Sequence, residues 1–182
     1  QKYMREWVTL EYLENLVKGL TERVTNAMRS ATVEWDGRQV PYHNLRPMMS
    51  NEPDMARRHQ LDELERGITA SANTERVERL RRLHDKTKSL GFESYVTLCD
   101  QLRGLRLDEL TQQMQNLLAA TRDVFLQLLA EHLQGLGVRI EDAAACDTLA
   151  LFRGRKFDAL FPEKSMIPAL ASTLSGMGID LA

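Results

Sequence analysis

Cysteine is scarce in this chain. Cys99 and Cys146 are its only two, with no CxxC spacing, so neither a disulfide framework nor a cysteine-rich zinc site is indicated, and two ordinary thiols are expected. A dominant charge is also missing. Lys plus Arg number 24 against 26 acidic residues, a net charge of -2, which sets up no overall field for nucleic acid or an anionic membrane. No apolar run is long enough to cross a bilayer, and no basic-then-apolar leader opens the chain, so the expectation is a cytoplasmic protein without a membrane partner.

Recognisable chemistry is sparse too. His43, His59, His84 and His132 are the four histidines, and none belongs to the His-Glu-x-x-His pattern that sets two zinc ligands and a base on one helical face. GxSxG, GxxxxGK[ST] and GxGxxG are absent, which removes the nucleophile elbow and both common phosphate cradles. His59 and Glu63 stand four apart, as metal ligands on a helix can, but two groups make no site and a solvated ion pair is the plainer expectation. The sequence therefore names no catalytic and no metal-binding residue, and leaves the ligand-binding residues unknown.

What is present is helical periodicity. The 182 residues, 43% hydrophobic and 27% charged, suffice for one globular domain over 1–182. Its longest signal spans 108–135, where Leu110, Met114, Leu117, Leu118, Thr121, Phe125, Leu128, Leu129 and Leu133 recur every three or four positions. Asp108 is the expected N-cap, and Gly135 to Gly137 the stop. A helix this long, about 40 Å, is expected to have one face covered by several other segments.

In chain order, residues 1–30 form a second long amphipathic helix, with Met4, Trp7, Val8, Leu13, Val17 and Leu20 among its apolar positions. Glu6, Glu11, Glu14 and Glu22 break up its polar face, which favours core packing over a membrane-surface anchor. Over 31–41 the period changes to two, around Asp36-Gly37, and a small β-hairpin is expected. Pro41, Pro47 and Pro53 then mark a connector. Helices resume over 52–104. The first places Met55, Leu61, Leu64 and Ile68 on its apolar side and Arg57 and Arg58 elsewhere. The next, Thr74 to Leu90, carries the most basic face, Arg76 to Lys88, diluted by Glu75, Glu78 and Asp85 and without interleaved aromatics. A solvated face, rather than a nucleic-acid contact, is therefore expected for it. Gly91 and Gly104 bound a shorter helix. The region 140–182 reads as helix to Phe152, an exposed break at Arg153 to Lys156, and an apolar cluster of Phe157, Leu160 and Phe161 expected in the core. A last helix opens at Pro162 and is left at Gly178-Ile179-Asp180-Leu181.

One order of features is more specific. The hairpin Ala31-Thr-Val-Glu-Trp-Asp-Gly-Arg-Gln-Val is followed by Tyr42-His-Asn-Leu-Arg-Pro-Met-Met-Ser, by Asn51-Glu-Pro-Asp-Met-Ala-Arg-Arg, and later by Leu90-Gly-Phe-Glu-Ser-Tyr-Val-Thr-Leu. This resembles the N-terminal helical region of zinc oligopeptidases of the oligoendopeptidase F and thimet oligopeptidase type. The likeness covers about three quarters of the chain. Ser50, Asp54 and Arg58 match that family's helix-start pattern and identify no ligand site. The resemblance implies a mainly α, elongated multi-helix bundle with one small β-hairpin, which lines a channel for peptide substrate. It also implies that zinc, the one cofactor, and the catalytic residues belong to a later part of a parent metallopeptidase. The opening Gln1 fits a chain either processed or excised from something longer, and the close at Gly178-Ile179-Asp180-Leu181 fits equally a fragment cut before the catalytic half and a family member that never had one. A stand-alone protein-interaction module and a weak nucleic-acid binder acting through Arg76 to Lys88 are the rival expectations.

Overall fold

The computed structural model describes residues 2–179. Among them, eight α-helices and one hairpin follow in chain order: α1 (Lys2–Ser30), β1 (Thr32–Trp35), β2 (Arg38–Pro41), α2 (Tyr42–Asn51), α3 (Met55–Ser71), α4 (Asn73–Ser89), α5 (Tyr95–Arg103), α6 (Leu107–Gln134), α7 (Ala145–Phe152) and α8 (Glu163–Gly176). Short 3-10 segments, Ile140–Asp142 and Arg155–Leu160, stand on either side of α7. The fold is mainly α with one small hairpin, as the periodicity indicates. Asp180 and Leu181, part of the expected exit from the last helix, lie outside the described residues.

Two separate clusters hold these elements. The first joins α1, α4 and α5 through Leu13, Val17, Leu83, Leu98 and Leu102, with Phe92, Tyr95 and Cys99 against its edge. The second joins the hairpin, α2, α3 and α7 through Leu45, Met49, Leu61 and Cys146, with Val33, Trp35 and Val40 packed on it. Each fully buried aliphatic side chain stabilises the fold by about 1.5–3 kcal/mol. Cys99 and Cys146 belong to different clusters and both are free thiols. The hairpin needs the second cluster, since two strands alone are marginal in water. Its turn places Asp36 and Gly37 at φ 49° and 72°, the left-handed pair of a primed turn, and pairs Val33 with Val40.

Several expectations need correction. The stretch between Pro41 and Pro53 is not a connector but the helix α2, with Pro47 inside it. An internal proline costs a helix about 3 kcal/mol. Here Leu45 and Met49, four apart and both fully buried, seat that helix in the second cluster and outweigh the loss. The N-terminus of α6 is not capped by Asp108. It begins at Leu107, whose amide donates to Asp100 Oδ1 at 3.1 Å, and Asp108 instead lies in the first turn, where its charge favours the helix dipole. At the other end the stop falls within Gly135 to Gly137 as expected, with Gly135 still right-handed. Gly137, at φ 71°, makes the left-handed stop, and the Val138 amide returns to the Leu133 carbonyl at 3.0 Å.

The largest departure concerns the face of α6. Only Leu133, near its C-terminus, is buried. Leu110, Met114, Leu117, Leu118 and Phe125 all face solvent, Leu118 at 68% exposure. The apolar stripe forms as the periodicity requires, but no described segment covers it. The same holds for Met166, Ile167 and Leu170 of α8, and for Met4, Trp7 and Val8 at the start of α1. Phe157, Leu160 and Phe161, expected in the core, are likewise exposed.

Candidate functional site

Among the described residues, one polar group with three hydrogen bonds is buried. Asp147 is the third residue of α7, and its Oδ2 accepts from the backbone amide of Ala144, just before that helix, at 2.8 Å. This is half of a capping box; Ala144 has no oxygen to return the bond. From α3, Arg58 Nε donates to Asp147 Oδ1 at 2.8 Å, and His59 Nε2 lies 2.8 Å from Oδ2. Arg58 is 1% exposed and Asp147 fully buried. The other arm of the guanidinium, Nη1, donates to the carbonyls of Glu52 and Pro53 at 3.0 and 2.8 Å. Nη2 is 2.7 Å from Asp147 Oδ1, an ion contact whose angle gives its own hydrogens no acceptor. One arginine thus ties α3 to α7 and to the bend between α2 and α3.

Burial is the largest influence on the Asp147 carboxyl and pushes its pKa up. The Ala144 amide, His59 and Arg58 together overcome it and hold the group below the ordinary carboxylate value. Beside it, burial and then the Asp147 charge push the Cys146 thiol up to about 11. His59, Cys146 and Asp147 offer one ligand atom each, all within 4.8 Å of one another, a nitrogen, sulfur and oxygen set of the kind zinc accepts. A metal there would have to displace donors already on both oxygens of Asp147 and sit beside the Arg58 guanidinium, which is itself a cation. The thiol is also protonated at neutral pH. The geometry supports a tie between helices better than a ligand set.

This arrangement corrects the sequence reading of two residues. His59 meets Asp147 on α7, 88 positions away, and not Glu63. Arg58, assigned to the polar side of its helix, is buried. Asp54 does start α3, accepting from the Arg57 amide at 2.9 Å. Ser50 Oγ donates to the Arg46 carbonyl within α2. Asp147 itself went unnoticed, although a lone acid in the apolar run Ala143-Ala-Ala-Cys-Asp147-Thr-Leu-Ala is a signal, because such a charge must find a partner.

The basic face of α4 is largely spent on local contacts. Arg79 donates to Glu14 on α1 at 2.9 Å, and Arg81 and Arg82 both hold Glu78, whose pKa these bonds lower to about 2. Arg76 reaches the Thr69 carbonyl, and Lys86 lies 5.2 Å from the Tyr12 ring centroid.

A concavity lined in part by Arg58 lies beside its tie to Asp147. It is an open groove of ≈ 1240 Å³ between the C-terminal half of α6, the end of α7 and the segment that follows. Phe125, Leu128 and Leu129 line it from α6, and Phe152, Phe157 and Phe161 from the opposite side. A smaller concavity of ≈ 610 Å³ lies at the hairpin tip, beside Trp35, Arg38, Arg57 and Leu61. Of its two cations, Arg57 pairs with Asp36 at 2.6 Å and Glu52 at 3.1 Å and stacks 4.8 Å from the Trp35 ring centroid, and the charge of Arg38 also bears on Asp36. The groove is therefore the better candidate site. No protein-family model, no curated protein and no solved structure matches this chain.

Proposed function

We propose that this chain is the non-catalytic N-terminal helical region of a peptidase-like protein of the zinc oligopeptidase type. In that role it forms one wall of the channel that admits peptide substrate. The observation that carries the reading is the apolar face of α6, which no described segment covers; α8 exposes Met166, Ile167 and Leu170 as well. Isolated surface leucines are ordinary, but a contiguous apolar stripe on a 28-residue helix marks a surface that another body covers. The succession of long helix, hairpin and helices that underlies the resemblance is supporting context. The chain would shape the channel and contact peptide through apolar side chains and backbone groups. Hydrolysis would be performed by zinc-bound water in the remainder of the parent.

A stand-alone interaction module draws on the same exposed face and is the second reading. The native protein's intact mass separates them. Captured from its source cells with an antibody to this chain, it should be several times heavier than 20.8 kDa, and should show zinc and peptidase activity. A native mass of about 20.8 kDa would overturn the channel-wall assignment and leave the interaction module.

A further inference from the structure

The groove beside α6 combines an aromatic wall with an imbalance of charge. Of the acids and bases that line it, Glu52 is held by Arg57, Asp158 by Arg153 and Arg58 by Asp147, and the His132 ring meets the Leu128 carbonyl. Two cations remain. The Arg155 guanidinium donates to the Asn51 carbonyl, which fixes its position and leaves most of its five N–H groups without a protein acceptor. The Lys156 ammonium lies 5.1 Å from the Phe157 ring centroid. Neither pairs with a carboxylate among the described residues. A chain of net charge -2 thus presents two uncompensated positive charges at an apolar groove, which is the complement of an anion carried on an apolar body.

We infer that the groove seats a peptide segment whose apolar side chains lie against the phenylalanines and whose carboxylate is met by Arg155 and Lys156. The inference deepens the channel-wall reading and rests on it for the peptide character of the occupant. The shape agrees with that choice. Phe152 and Phe161 are 83% and 79% exposed, so the wall is open to solvent. An acyl chain wants most of its surface enclosed, whereas a peptide can leave its backbone in water. Specificity here comes from the charge, because the aromatic wall accepts many apolar side chains.

The test is calorimetric titration of the 182-residue chain with three blocked pentapeptides, acetyl-Leu-Phe-X-Leu-Phe-amide, where X is Glu, Gln or Lys. The Glu peptide should bind about fivefold or more tighter than the Gln peptide, the scale of an exposed charge pair, and the Lys peptide weakest. High salt should narrow the gap. Arg155→Ala with Lys156→Ala should equalise Glu and Gln. Lys156→Gln alone, which leaves the Arg155 contact to Asn51 intact, should do so in part, with an unchanged circular dichroism melt. Equal binding of all three peptides overturns the inference and leaves the channel-wall reading standing. Saturation by dodecanoate with all three peptides inert overturns the inference and the peptide-wall reading together, whatever the native mass.

Discussion

Replacing Asp147 by Ala tests the buried tie between α3 and α7. The substitution removes the acceptor of Arg58 Nε, of His59 Nε2 and of the Ala144 amide, each now at 2.8 Å. It also leaves a guanidinium that is 1% exposed without a counter-charge. Breaking a buried pair from one side costs about 3–5 kcal/mol. Because Glu52 and Pro53 still accept from Nη1, the lower end, about 3 kcal/mol, is expected. That is a large part of the roughly 5–15 kcal/mol that holds a typical domain together. Arg58→Met, which removes the charge and keeps much of the volume, should cost less in the Asp147→Ala background than in the wild type. Urea unfolding followed by circular dichroism reads all four corners of this cycle. The pH dependence has a definite sign. The folded-state pKa of Asp147 lies below its ordinary 3.8, so its contribution is complete above about pH 5 and is lost as pH falls through the folded value. The gap between wild type and Asp147→Asn should shrink over that acid range. A cost under about 1 kcal/mol for Asp147→Ala, within the range of an exposed pair, would refute the reasoning.

Burial should separate two leucines of α6. Leu133→Ala, at a fully buried site, should cost about 2–5 kcal/mol, and Leu118→Ala about 0.5 kcal/mol or less; equal urea midpoints would contradict the solvent-facing stripe. Cys146, with its thiol pushed up to about 11, should resist iodoacetamide in the native protein and react only once the chain unfolds, as mass spectrometry of the labelled peptides would show. Labelling of Cys146 at the rate of a free thiol would contradict its burial. Gly137→Ala places a Cβ in open space but at φ 71°, so the cost is that of the left-handed conformation, about 1–2 kcal/mol, readable as a lowered melting temperature.

Local pattern was enough for most of the fold. Most of the helices and the Asp36-Gly37 turn follow from residues within a few positions of each other. Pro47 misled because its penalty is local, whereas the burial of Leu45 and Met49 that outweighs it comes from helices elsewhere in the chain. Periodicity marked the apolar stripe of α6 but could not say what would meet it, since spacing encodes a face and not its neighbour. The candidate site was the least legible part. The partnership of Arg58 and His59 with Asp147 spans almost ninety positions, and the groove gathers Phe125, Phe152 and Phe157 from three segments that share no motif.

Hydroxyl-radical footprinting of Met114, Leu117 and Leu118, exposed on α6 outside the groove, tests the central claim most directly, comparing the isolated chain with the native protein captured from its source cells. If the face of α6 packs against the remainder of a larger peptidase-like protein, these side chains should be oxidised readily in the isolated chain and be protected several-fold in the native protein. Equal oxidation in both would mean that the stripe faces solvent in the native state as well, and the assignment as a channel wall would fail.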